Sequence, residues 1–193
     1  MSSSEANQAN PASRVSPDWA MPQVPEGTVR RVVRAPDPVL STPGHDVDPA
    51  DVSTIELVAD LLATQLVSPG CVGLAAQQIG VAARVFSVDV SGHLKTRTCH
   101  GLLALCNAVV VHATRKERGR EGCMSVPDFT GDVARGRRLV VKGQLPLTGQ
   151  WVEVVTDGFE AVALQHEIDH TNGLLFLDRV SGPHGIHPRR TYL

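Results

Sequence analysis

Residues 166–170 read His-Glu-Ile-Asp-His, inside a stretch of helical apolar spacing that runs from about Phe159 to Asn172 and stops at Gly173. Residues four apart on a helix share a face, so His166 and His170 can bind one metal ion. Glu167 sits beside them, where it can accept a proton from a water at that ion. At ordinary residue frequencies such a string arises by chance in roughly one chain in 200 of this size. The bland alternative is a helix with two unremarkable histidines, and it weakens once the string falls on a helical pattern. A fold that uses this string must turn one face of the helix toward a built site, with other segments supplying the walls.

Two histidines do not complete a catalytic centre, which usually has three protein ligands and an open position. The best candidate for the third is Cys123, within Glu121-Gly122-Cys123-Met124-Ser125. The bland reading of any one cysteine is a small buried hydrophobe. A third segment, Gly70 to Gly80, is rich in small residues that allow close backbone approach, and its Gln78 offers an amide N–H to a developing oxyanion. Taken alone, that segment reads equally as a loop and strand packed on a helix.

The rest of the chain reads as scaffold. Its 193 residues suit one domain with a sizeable core, which aliphatic side chains must fill because aromatics make up 4%. Asp48-Pro49 resembles a helix cap, and Ile55, Val58, Leu62 and Leu66 follow at helical spacing until Ser68-Pro69-Gly70. Short β-rich runs cover Arg84–Val90, Leu103–Val111, Leu139–Lys142 and Trp151–Val155. Helix, strands, then helix indicate an α+β fold: a single domain of short antiparallel strands around the metal-binding helix. Residues 1–27 are rich in Ser, Asn, Ala and Pro without a hydrophobic period and are expected to be a disordered extension, leaving 28–193 as the catalytic domain. The tail from Ser181 is too rich in Pro and Gly for a long helix.

Composition narrows the function classes. A net charge of −2 argues against broad binding to DNA or to an anionic membrane. No apolar run is long enough to span a bilayer, and the N-terminus lacks a secretory core, so a cytoplasmic protein is expected. Four cysteines in a reducing compartment read as free thiols. The run 115–120 is basic and reads first as a solvated turn, with a transient contact to ribosomal RNA as the partner reading.

Taken in order, the three segments resemble the peptide deformylase family, whose signatures are Gly-x-Gly-x-Ala-Ala-x-Gln, Glu-Gly-Cys-Leu-Ser and Gln-His-Glu-x-Asp-His. They appear here as Cys71–Gln78, Glu121–Ser125 and Gln165–His170, and the likeness extends over most of residues 28–180. The resemblance implies that Cys123, His166 and His170 hold a divalent metal, typically ferrous iron, with nickel, cobalt or zinc found in preparations. It implies that Glu167 is the base and then the acid, and that the Gln78 side-chain amide and the Met124 backbone N–H form the oxyanion hole. The substrate would be the formyl-methionyl end of nascent peptides. Methionine would enter a pocket lined by Phe159, Val162 and Ala163, which lie seven, four and three residues before His166, with Val72 opposite. The peptide backbone would run along Val72 and Gly73 as an added strand. Arg135 would lie near the substrate's outer end.

The sequence departs from the family pattern at Cys71, Met124, Ala134 and Thr171, and a positive φ required at Cys71 would strain the loop. Other readings stay open at this point. One is a zinc peptidase on the same helix, with a third ligand downstream at Asp178, His184 or His187. Others are a non-catalytic deformylase-like protein that binds nascent chains, and a hydrolase for a different N-formyl amine.

Overall fold

A computed structural model describes residues 13–15, 17–114 and 116–189. In chain order the elements are strand β1 (Ser13–Arg14), helix α1 (Val52–Val67), β2 (Gly73–Ala75), β3 (Val85–Val88), β4 (Thr98–Cys99), β5 (Leu103–Ala113), β6 (Lys116–Cys123), β7 (Val126–Gly136), β8 (Arg138–Gln144), β9 (Trp151–Asp157), helix α2 (Gly158–Thr171) and β10 (Ile186–Pro188). Short 3-10 turns join them. Among these residues no helix is long and apolar enough to cross a membrane.

Helix α1 begins at Asp51, whose carboxylate accepts the Ser53 N–H at 2.9 Å. The start expected at Asp48 is therefore three residues early; Asp48 caps its own turn by accepting from Ala50 N–H. The buried face of α1 carries Thr54, Val58, Leu61 and Gln65, whereas Leu66 points to solvent. Helix α2 follows the expected span and ends at Gly173, which has φ +73°. A Cβ at Gly173 would also fall 2.8 Å from the Pro43 backbone nitrogen, so glycine is required there twice over.

Five strands form an antiparallel sheet in the order β2-β3-β5-β8-β9. Strand β9 alternates strictly, with Val152, Val154 and Thr156 buried and Trp151, Glu153 and Val155 exposed. Ala161, Leu164 and Ile168 of α2 pack on the inner face, against Phe86, Leu105, Val141 and Val154. A second sheet, β10-β7-β6, is also antiparallel. Its core joins Cys123, Val126 and Val133 to Leu40, Leu175 and Phe176. Helix α2 contacts strands of both sheets. Its metal-type residues therefore face a seam where β2, the edge of the larger sheet, approaches the end of β6.

Strands β1, β4, β6, β7 and β10 are not expected from the sequence. The basic run is not a turn: from Lys116 onward it is strand β6, while Arg115 lies outside the described residues. The disorder expected over 1–27 is corrected for part of that span. Residues 1–12 and 16 lie outside the described residues, but β1 pairs in parallel with β4, Trp19 and Met21 pack on the main core, and Val24 packs against the cluster around α1. Gly27 lies so near α1 that a Cβ would fall 2.1 Å from the Ala59 carbonyl. This extended strap only partly covers its residues, at irregular intervals, which leaves no period to read.

Candidate active site

One turn of α2 separates His166 from His170, and their rings meet edge to face with centroids 4.9 Å apart. Strand β6 delivers the third group. Its pairing with β7 shifts register between Gly122 and Cys123, and this irregularity ends the ladder at the cysteine. Cys123 Sγ lies 3.3 Å from His170 Nε2. The donor atoms of Cys123, His166 and His170 all fall within 4.8 Å of one another, and among the described residues they form the one cluster of metal-ligating type. Asp178, His184 and His187 stand outside it. Asp178 instead accepts from the Leu175 N–H, and His187 faces Asp132 at 3.1 Å.

The cluster is oriented from behind. His166 Nδ1 donates to Glu121 Oε2 at 2.9 Å, which leaves Nε2 for the cluster. Arg135 holds Glu121 through two hydrogen bonds of 2.8 and 3.0 Å and also donates to Asp169, which Arg179 grips at 3.0 and 2.6 Å. Burial works against an ionised Glu121, but the hydrogen bonds from His166 and Arg135 hold its carboxyl down at about 2. Arg135 therefore corrects an expectation. It does not reach a substrate groove; it is a buried brace, 6% exposed, beneath the histidines.

Cys123 is 4% exposed, which opposes a thiolate, yet the charge on His170 and hydrogen bonds from both imidazoles hold its thiol well below the ordinary value. Glu167 is buried too, and one carboxylate oxygen, Oε2, has no hydrogen-bond partner. Burial pushes this carboxyl up to about 7, against the pull of His166 and His170. Gly73 of β2 makes room for it: a Cβ there would lie 2.5 Å from Glu167 Oε1. Gln78 reaches the same centre from the 3-10 turn after β2. Its Oε1 accepts the Ala75 N–H at 3.0 Å, so Nε2 is turned toward Cys123 Sγ at 3.4 Å and Ser125 Oγ at 3.3 Å.

A cavity of about 680 Å³ opens over this centre. Val72, Gly73, Phe159, Val162 and Ala163 line it, together with Gln78, Met124, Cys123, His166 and Glu167. His170 lies beneath, fully buried. Glu121, His93, Lys95 and Arg189, not expected here from the sequence, also line the cavity, as do Arg120 and His187, which the sequence offers for a ribosome contact and for a metal ligand instead. Glu121 stands inside a quoted motif and carried a signal; His93, Lys95 and Arg189 carried none. Cys71 lines the mouth without the strain considered for it: among the described non-glycine residues only Asn107 and Leu147 have positive φ.

The donor set of one thiolate and two imidazoles, with an unpartnered carboxylate oxygen next to it, fits a divalent transition metal.

Comparison with known proteins agrees with this geometry. Residues 29–184 match the family model described as polypeptide deformylase. The chain is 39% identical over 152 residues to the peptide deformylase of Halothermothrix orenii, covering 79% of this chain and 94% of the relative. It is 37% identical to that of Pelotomaculum thermopropionicum, covering 83% and 97%. The crystal structure of the Thermotoga maritima peptide deformylase superposes with a TM-score of 0.71 at 31% identity, over 80% of this chain and 99% of that one.

Proposed function

This chain belongs to the polypeptide deformylase family, and from that premise we propose how its own residues carry out the family's reaction. The chain is a metal-dependent hydrolase that removes the formyl group from the N-terminal methionine of nascent peptides. In our reading Cys123, His166 and His170 hold the metal. The observation that carries this is the convergence of their donor atoms beside the unpartnered Oε2 of buried Glu167. Ferrous iron is the metal we propose, on the family resemblance; the thiolate and two imidazoles would also suit nickel, cobalt or zinc. A divalent ion held there would polarise the formyl group and acidify a water.

The protein's side chains do the rest. Glu167 takes a proton from the attacking water as the water oxygen adds to the formyl carbon. Its raised proton affinity suits a group that must accept a proton near neutral pH and then release it. Negative charge grows on the formyl oxygen, where Gln78 Nε2 and the Met124 backbone N–H donate to it. Gln78 is held by Ala75 before substrate arrives, so little reorganisation is needed. The carbon–nitrogen bond then breaks, and Glu167 returns its proton to the leaving amine, giving formate and a free N-terminus. Val72, Phe159, Val162 and Ala163 receive the methionine side chain, and the backbone at Val72 and Gly73 receives the peptide.

We place the enzyme in the cytoplasm and its catalytic domain at residues 28–193. Lys116, Arg118 and Arg120, at alternate positions of β6, are the surface proposed for a transient ribosome contact. The test is formate release from formyl-methionyl peptides by nickel- or iron-loaded protein beside Glu167→Ala. Release by the wild type, lost in a variant that keeps its metal, supports the reading. No release from fully loaded wild type overturns it.

A further inference from the structure

We propose that the stacked rings of His93 and Phe159 close the far end of the methionine pocket and set the length of side chain it accepts; this rests on the deformylase reading above. Along α2 the pocket residues order themselves by distance from the metal-type cluster. Ala163 and Val162 lie within about one turn of His166, and Phe159 lies about 10 Å away along the axis. Phe159 is thus the helical residue of the lining farthest from that cluster. His93 comes from a different element, the loop between β3 and β4, and lines the same cavity. The two ring centroids are 4.0 Å apart with planes 18° from parallel, so no side chain can pass between them.

A wall that sets length must be held still, and this loop is. Asp89 accepts from the Ser91 N–H at 2.9 Å, His93 N–H donates to the Val90 carbonyl at 3.0 Å, and Thr96 N–H donates to the His93 carbonyl at 2.9 Å. The hydroxyl of buried Thr96 donates to the Val90 carbonyl at 2.7 Å and closes the loop on itself. The ring is fixed as well. His93 Nδ1 accepts the Lys95 backbone N–H at 3.2 Å, the arrangement of a neutral imidazole. Burial, then the Lys95 charge, favours that neutral form by lowering the proton affinity of His93. The pocket therefore ends at an anchored pair of stacked rings, with the Lys95 ammonium 5.8 Å from the Phe159 centroid, an end that an unbranched apolar chain can reach and a longer one cannot pass.

The experiment compares formyl-Met-Ala-Ser with the analogue carrying 2-aminooctanoic acid in place of methionine, using the nickel-loaded full chain, His93→Ala and His93→Phe. The preference for methionine, as a ratio of kcat/KM, should fall at least about tenfold in His93→Ala, the scale on which pockets discriminate chain length. It should stay at the wild-type ratio in His93→Phe, which keeps a stacked ring. Calorimetric affinities for the two deformylated peptides should follow the same order. An unchanged ratio in active His93→Ala overturns the inference, as does a His93→Phe ratio equal to that of His93→Ala. Failure of the wild type on the methionyl substrate would instead count against the deformylase reading itself.

Discussion

Glu121 Oε2 sits 2.9 Å from His166 Nδ1, on a carboxylate that Arg135 already grips with two hydrogen bonds. The pair fixes both the tautomer and the plane of the imidazole. Removing the anion frees the ring to rotate and makes it a poorer donor. Glu121→Gln is expected to weaken metal affinity about 10–100-fold, the usual effect of losing a group that orients a ligating histidine. Competition with a chelator of known affinity checks this; unchanged retention would mean that His166 needs no brace.

The same carboxylate makes stability depend on acid. Its folded value of about 2 lies below the ordinary 4.5. A group depressed in this way adds stability that is fully present above pH 4.5 and is lost as pH falls toward 2. Urea midpoints of metal-free protein should therefore fall across that window, with a shallower fall in Glu121→Gln.

Arg135 joins two buried carboxylates, Glu121 and Asp169, and its own side chain is 7% exposed. Arg135→Ala leaves both anions without this partner and is expected to destabilise the fold by about 3–5 kcal/mol in chemical denaturation. It should do so without a selective rise in KM for longer formyl peptides. Such a rise, with stability intact, would restore the substrate-contact role that the structure removes from Arg135.

What the sequence made legible was local. The histidines, Glu167 and the cap at Gly173 lie in one helix, and the pocket residues Phe159, Val162 and Ala163 follow from its periodicity. Cys123 and Gln78 became convincing through ordered motifs, because the contacts that gather them span 45 residues or more in sequence. Strand β6 escaped because Lys116 to Arg120 are exposed on both faces and its two buried positions, Glu121 and Cys123, come only at its end, so no apolar alternation marks it. Arg135 was misread for a similar reason: its two partners are 14 and 34 residues away. A charged residue shows its burial only once those partners are placed. His93 offered no pattern, since its stack depends on where one loop comes to rest against helix α2.

Gly73 and Glu167 occupy the same space as nearly as two residues can. Gly73→Ala puts a methyl 2.5 Å from Oε1 and forces the carboxylate aside. Because a general base is worth about 10²–10⁴-fold, kcat should fall at least about 10²-fold while metal content and circular dichroism stay normal. Wild-type turnover in Gly73→Ala would show that the base works from another position.

The four thiols should separate sharply in reactivity. Burial pushes Cys106 up to about 12, and burial with the nearby Glu167 charge does the same for Cys71, although Cys71 lines the cavity mouth. At pH 8 a thiol of that kind is a thiolate in only about one molecule in 10⁴. Cys99 is raised as well, chiefly by burial. Cys123 alone is pulled well below its ordinary value by the two imidazoles, and it faces the cavity. In metal-free protein iodoacetamide should therefore modify Cys123 first, ahead of the more accessible Cys71, and a bound metal should block that reaction. Peptide mapping by mass spectrometry over a time course reads the order directly. Cys71 reacting first would show that exposure, rather than thiolate character, governs chemistry at this mouth.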